Sequence, residues 1–208
     1  MNKNISLIIV GVIILGVVSL YSFIAKSPAP APVATTTPVQ VNNNDGMTQT
    51  YSSIAQGFSI RLPDGFTTDE NYKYQALGPS RNISGVKFTI APSMATGTNL
   101  SKDSYISVEK LPESSTCQAS EFLSDGAIAN NILDGNTRYS VASSSDAGAG
   151  NRYEETVYSV PGTNPCIAIR YFIHYAAFEN FPTGAVVGFN KQSILNQFDL
   201  IRRTFKTQ

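Results

Sequence analysis

The stretch of residues 5–25 constrains this chain more than any other feature, because it runs for 21 positions without a charged side chain. As a helix it would be about 31 Å long, which matches the hydrocarbon core of a bilayer. A segment in lipid must satisfy every backbone N–H and C=O group internally, and a helix does so. We therefore expect residues 5–25 to be a transmembrane signal anchor, with the lipid bilayer as its partner.

A cleaved signal peptide is the alternative interpretation of the same stretch. The apolar run is longer than the core of about 7–15 residues that is usual for a signal peptide. Pro28 and Pro32 follow the nearest small-residue cleavage sites, which disfavours cleavage there. Lys3 precedes the stretch and Lys26 follows it, so the positive-inside bias is small. We expect residues 1–4 to be a cytoplasmic tail and the C-terminal part of the chain to be extracytoplasmic.

The remainder of the chain divides into a linker and one domain. Residues 26–46 contain four prolines and no aromatic residue, and their alternating Ala-Pro sequence favours an extended, polyproline-like spacer. Residues 47–208 are numerous enough to bury a hydrophobic core without help from a partner. We expect them to form one extracytoplasmic domain.

The composition argues against several classes of function. Lys plus Arg and Asp plus Glu number 15 each, so the formal net charge is zero. That balance argues against a nucleic-acid-binding protein, which needs an excess of positive charge. A single histidine excludes a His-rich metal centre. We expect neither a metal nor a cofactor.

Alternating apolar and polar side chains predict that most of the domain is β-structure. The period of two that is typical of half-buried strands occurs at residues 58–62, 86–90 and 106–111. Two longer strands are predicted at residues 152–160 and 166–175, joined by the hairpin loop PGTNP. Both faces of residues 166–175 are apolar or aromatic, so we expect this strand at the centre of the sheet.

Helical spacing predicts an α-helix near the C-terminus, over residues 190–205. The apolar residues that share one face of it are Ile194, Leu195, Phe198, Ile201 and Phe205. Asn190 is the expected N-cap, and a shorter helix is predicted at residues 119–123. The fold class is therefore expected to be α+β, with a single antiparallel β-sheet and the C-terminal helix packed on it.

Cys117 and Cys166 are the two cysteines of the chain. Two cysteines in an exported domain favour one disulfide, which would join the short predicted helix to the start of the central strand. Two free buried thiols, or a reactive thiol, are the alternatives.

His174 is the candidate catalytic residue. In an envelope hydrolase it would act as a general base on a serine such as those at residues 143–145, with a carboxylate such as Asp146, Glu154 or Glu155 beside it. The sequence contains no G-x-S-x-G nucleophile elbow. A histidine whose hydrogen bonds only hold a strand in place is the alternative.

The segment of residues 146–152 is a candidate ligand-binding loop. Gly148 and Gly150 could expose backbone N–H groups to an anion, with Asn151 and Arg152 beside them. The alternative is a tight connection between two strands.

Four segments of the domain resemble known proteins: YSSIAQGFSIRLPDGF, SSSDAGAGNRYEETVY, PCIAIRYFIHY and FDLIRRTFK. Together they are similar to a group of uncharacterised, membrane-anchored exported bacterial proteins over most of residues 50–207. The first segment and the closing helix that ends in TF also resemble the PsbP-like fold, an antiparallel sheet sandwiched by helices (α/β/α). This resemblance implies binding or assembly rather than catalysis, and it supplies no catalytic residues.

The leading hypothesis is therefore a membrane-anchored, non-catalytic binding or assembly domain of the bacterial envelope, whose partner is an envelope protein or a small ligand. An envelope hydrolase that uses His174 is the second hypothesis.

Overall fold

The structure, a computed structural model, describes residues 46–78, 81–112 and 114–208. The predicted tail at residues 1–4, the predicted anchor at residues 5–25 and the linker up to residue 45 lie outside the described residues. Within the described part of the chain, no helix combines the length and the apolar character that are needed to cross a membrane.

The described residues fold into ten β-strands and one α-helix. In chain order these are β1 (Met47–Ser53), β2 (Phe58–Pro63), β3 (Thr67–Tyr74), β4 (Ile83–Thr89), β5 (Tyr105–Leu111), β6 (Asn130–Asp134), β7 (Thr137–Gly148), β8 (Asn151–Val160), β9 (Cys166–Ala176), α1 (Lys191–Arg203) and β10 (Lys206–Thr207). Short 3-10 helices lie at Pro92–Met94, Ala119–Phe122 and Phe178–Asn180.

Seven strands form a large antiparallel sheet in the order β3-β4-β5-β9-β8-β7-β6. β9 is its central strand, as the apolar sequence on both of its faces predicts. Ile169 on one face and Arg170 on the other are both fully buried. The predicted hairpin is also confirmed, because β8 and β9 pair in register from Val160 opposite Ile167 onward.

The expectation of a single sheet is wrong, because β1, β2 and β10 form a second sheet in the order β1-β2-β10. The alternation in β2 places Phe58, Ile60 and Leu62 on one face, and all three are buried in the core that also contains Val86 and Phe88 of β4. These side chains can be covered by packing face to face on the large sheet, and extending that sheet at an edge would leave them exposed.

α1 packs on the same side of the large sheet as the second sheet. Ile194, Phe198 and Ile201 of α1 belong to the core between the layers. The Asn190 side chain accepts a hydrogen bond from the backbone N–H of Ser193 at 3.0 Å, so the predicted helix and its N-cap are confirmed.

The opposite face of the large sheet is covered at one end by a loop rather than by an α-helix. The Cys117–Cys166 disulfide is present, with an S–S distance of 2.05 Å, and ties this loop to the start of β9. The 3-10 helix Ala119–Phe122 follows, and its Phe122 is fully buried. Within the described residues, this loop stands where an α/β/α sandwich would have its second helical layer.

Candidate functional site

The large sheet curls around a buried arginine. The ring centroid of Tyr74, on β3, lies 3.5 Å from Cζ of Arg170, on β9, and the Tyr74 hydroxyl donates to Glu155, on β8, at 2.8 Å. In a flat sheet β3 and β8 would be about 19 Å apart, since four strand spacings of about 4.8 Å separate them. The side chains cannot span that distance, so the sheet is concave on the Arg170 side.

Two carboxylates hold the guanidinium of Arg170. Its Nε and Nη2 donate to the two oxygens of Glu109 at 2.7 and 2.8 Å, and Nη1 donates to Glu155. Nη2 also donates to the backbone carbonyl of Phe122 at 2.7 Å. Burial by itself would lower the pKa of Arg170, but the neighbouring carboxylates raise it above its ordinary value, so the guanidinium stays charged. Counted formally, this cluster carries one excess negative charge.

The concave face has a closed end and an open end. The disulfide loop covers the end where β9 begins, and the end where β9 finishes is lined by aromatic rings. We call this row of rings the aromatic face; it consists of Tyr72, Tyr105, Tyr153, Phe172 and His174. Its members come from β3, β5, β8 and β9, which the curl brings around one surface.

The rings of the aromatic face contact one another in sequence. Tyr105 and Phe172 stack with centroids 4.7 Å apart, and Tyr153 stacks on His174 at 4.5 Å. Phe172 and Tyr153 are 6.1 Å apart, which joins the two stacks. Tyr72 and Tyr105 are buried, whereas Phe172, Tyr153 and His174 are half-buried. The outer three rings therefore present part of their surface to solvent.

The inner two rings are fixed by a hydrogen bond as well as by packing. The hydroxyls of Tyr72 and Tyr105 are 2.7 Å apart. Burial is the main reason that the pKa of each phenol is raised far above its ordinary value. Both hydroxyls are consequently neutral at physiological pH, and they contribute no charge to the aromatic face.

His174 lies at the rim of the aromatic face with both ring nitrogens engaged. Nδ1 is 2.8 Å from a carboxylate oxygen of Asp103, and Nε2 is 3.0 Å from Oδ1 of Asn151. The hydroxyl of Ser104 bonds the backbone N–H and C=O of His174 at 3.0 and 3.1 Å. The arrangement holds the imidazole in one orientation. The nitrogen that would activate a serine faces an amide oxygen.

The residues proposed to assist His174, and those of the candidate ligand-binding loop, are spread over the sheet. Asp146 lies opposite Tyr153, and Tyr153 lies opposite His174, so two strand spacings, or about 10 Å, separate Asp146 from His174. Arg152 pairs with Tyr175 and therefore points to the other face of the sheet. Asn151 is the residue of segment 146–152 that contacts His174.

The segment of residues 146–152 forms a two-residue hairpin turn between β7 and β8. Ala149 and Gly150 occupy its tip with φ angles of 48° and 77°, which is the conformation of a type I′ turn. The carbonyl of Gly150 accepts from the backbone N–H of Ala177 at 2.7 Å. This geometry matches the alternative interpretation of the segment, a tight connection between two strands. An anion site at Gly148, Gly150, Asn151 and Arg152 stays a prediction.

A cleft of about 520 Å³ lies on the other face of the sheet, beside the N-terminal half of α1. Ser143 and Ser145 line it, and the ion pair between Lys191 and Glu154 lies at its edge. The side chains of Glu154 and Glu155 thus point to opposite faces of the sheet, as the alternation along a strand predicts. Tyr171 is the aromatic residue of the cleft lining, and it is buried, so the cleft offers little aromatic surface.

The sequence reasoning missed most of the aromatic face and all of the Arg170 cluster. One signal was available: an arginine in the otherwise apolar strand CIAIRYFIHY must find carboxylate partners if that strand is buried. Glu109 and Glu155, each within a strand, were candidates for those partners. Among the described residues, no group of three or more His, Cys, Asp or Glu side chains is placed to hold a metal ion.

No protein-family model matches the sequence, and no curated protein matches it. The fold is similar to the solution structure of cyanobacterial PsbP (CyanoP) from Synechocystis sp. PCC 6803, with 14% identity and a TM-score of 0.42 over 86% of this chain and 100% of that chain. It is also similar to a crystal structure from Bacteroides thetaiotaomicron VPI-5482, with 11% identity and a TM-score of 0.43 over 79% of this chain and 49% of that chain. The weak PsbP-like resemblance concerns the fold, and no functional residue is carried over from it.

Proposed function

We propose that the chain is a membrane-anchored, non-catalytic binding domain of the bacterial envelope that takes its ligand on the aromatic face. The observation that carries the proposal is the row of contacting rings at the open end of a concave sheet. Ligand sites commonly occupy such mouths and combine aromatic contact area with a few fixed polar groups. Phe172 and Tyr153 provide the contact area, and His174, Asn151 and Asp103 are the fixed polar groups.

The geometry of His174 favours binding over hydrolysis. A general base needs its free nitrogen within hydrogen-bond reach of the hydroxyl that it activates. Nε2 of His174 is instead directed at Oδ1 of Asn151. In a binding site the same contacts are useful, because they fix the ring on which Tyr153 stacks.

The proposed location is supported by the sequence of residues 5–25 and by the disulfide. Disulfides persist in oxidising compartments outside the cytoplasm. Protease added to intact spheroplasts should remove the C-terminal domain of the full chain and leave a short fragment in the membrane. A domain that is degraded only after the cells are lysed would contradict the proposed topology.

Saturation-transfer NMR on the full chain in dodecyl maltoside tests the binding face directly. Three soluble probes of different chemistry serve as ligands: indole, choline and citrate. At least one should bind the native chain and lose its signal when Phe172→Ala and Tyr153→Ser are combined. The matched control is Thr156→Ala on the opposite face of β8, and it should bind normally. The proposed function would be overturned if no probe lost its saturation-transfer signal in the double variant, or if the control variant lost the signal equally.

A further inference from the structure

The exposed rings of the aromatic face are each flanked by a carboxylate. Asp146 lies directly opposite Tyr153 on β7, and Glu155 lies directly opposite Phe172 on β8. Residues that face each other across two strands have Cβ atoms about 4.5–5.5 Å apart. Asp103 adds a third carboxylate, at the far side of His174. The Glu155 carboxylate is already paired with Arg170, whereas the Asp146 side chain is exposed. A group resting on Phe172 and Tyr153 would therefore lie beside the negative charge of Asp146.

The chain itself shows which kind of group this surface attracts. Nζ of Lys87 lies 5.4 Å from the ring centroid of Tyr72 and 5.8 Å from that of Tyr105. The same nitrogen is 3.6 Å from a carboxylate oxygen of Asp69. The inner half of the aromatic face thus holds an ammonium group between two rings and a carboxylate. Cations are attracted to the negative face of an aromatic ring, and a nearby carboxylate adds to that attraction.

The outer half repeats this arrangement without its own cation. Within the described residues, no lysine or arginine lies over the ring of Phe172 or Tyr153, while Asp146 lies beside Tyr153. The Asp146 side chain is exposed, and its one bonded oxygen accepts from its neighbour Ala147 at 2.7 Å. A carboxylate and two half-exposed rings are thus available to a ligand.

We propose that the aromatic face binds a small organic ammonium compound, with its cationic nitrogen over Phe172 and Tyr153 and beside Asp146. The inference rests on the proposed function, since it names the ligand class of the same surface. A ligand of this class matches both properties of the surface: apolar substituents on nitrogen pack on the rings, and the positive charge compensates the Asp146 carboxylate. A neutral compound of the same shape would gain the first contribution only.

Choline and its neutral carbon isostere, 3,3-dimethylbutan-1-ol, separate the two contributions. They are titrated into the full chain in dodecyl maltoside and phosphate buffer, because choline detergents and amine buffers would compete. We expect choline to bind about tenfold more tightly than the isostere, the difference that a cation–π contact and a nearby carboxylate supply. Raising NaCl to about 0.5 M should weaken choline binding and leave isostere binding unchanged, because salt screens exposed charges.

Asp146→Asn tests the carboxylate without removing the hydrogen bond to Ala147. It should weaken choline binding about fivefold and leave the isostere unaffected. Glu179→Gln, a substitution of an exposed acid on a different element, is the matched control and should change neither affinity. Thermal melts of both variants establish that they are folded.

The two proposals fail in different ways. Equal affinities for choline and the isostere, both lost in the Phe172→Ala, Tyr153→Ser double variant, would leave the binding face in place and overturn the ammonium inference. Choline binding that survives the double variant would overturn the ammonium inference, and it would overturn both proposals if no other probe lost its signal in that variant. Absence of choline binding while another probe binds the aromatic face would overturn the ammonium inference alone.

Discussion

Replacing Arg170 with methionine would leave two carboxylates facing each other in the interior of the curled sheet. The side chains of Arg170 and Glu109 have no exposed surface and that of Glu155 is 11% exposed, so water cannot replace the lost guanidinium. Removing one partner of a buried ion pair costs about 3–5 kcal/mol. For a domain of this size that corresponds to a decrease in Tm of about 6–20 °C.

Urea denaturation of the full chain, followed by circular dichroism, measures this loss. Lys87→Met is the matched control on the same face of the sheet; its ion pair with Asp69 is partly exposed, so we expect a loss below about 1 kcal/mol. Combining Arg170→Met with Glu109→Gln and Glu155→Gln removes the repulsion and should recover at least half of the stability. If Arg170→Met costs no more than Lys87→Met, the curled core around Arg170 is wrong.

Three further predictions concern stability elsewhere in the fold. Cys166→Ser should destabilise the domain by about 4 kcal/mol in thermal or urea unfolding, since the disulfide closes a loop of 49 residues, and a loss below 1 kcal/mol would contradict that role. Gly85→Ala should lower the Tm, because the added Cβ would lie 2.3 Å from the carbonyl oxygen of Val108; an unchanged melt would show that β4 is not packed this closely. The pKa of Asp134 is lowered, since its hydrogen bonds to Arg203 and Arg202 outweigh the effect of burial. Its contribution to stability is therefore present above about pH 4 and is lost as the pH falls through the lowered value, so Asp134→Asn should flatten the acid limb of a stability–pH curve.

The elements that could be predicted from the sequence are those whose own residues carry a clear local pattern. β9 is apolar on both faces, and the loop PGTNP marks the turn that pairs it with β8. The apolar spacing of α1 and the Asn190 cap identify the helix before any tertiary contact is considered. In each of these elements the local pattern and the burial in the folded domain agree, so the predictions are confirmed.

The aromatic face could not be predicted from local sequence patterns in this way. Tyr72 belongs to the polar segment TTDENYKY. Apolar and polar residues do not alternate in it clearly enough to distinguish a strand from a loop. Glu155 and Tyr74 are 81 positions apart, and they meet because the sheet curls, a property of seven strands together rather than of any one. Sequence identified His174, Asp146 and Asn151 one by one, but their placement on one face depends on the register of β7, β8 and β9.

Intermolecular nuclear Overhauser effects between choline and the full chain in dodecyl maltoside test the central claim most directly. The trimethylammonium protons should show contacts to the ring protons of Phe172 and Tyr153, and Asp146→Asn should weaken them. Contacts to Leu195, which lines the cleft on the other face of the sheet, would contradict the account. So would choline contacts that persist after both Phe172 and Tyr153 are replaced.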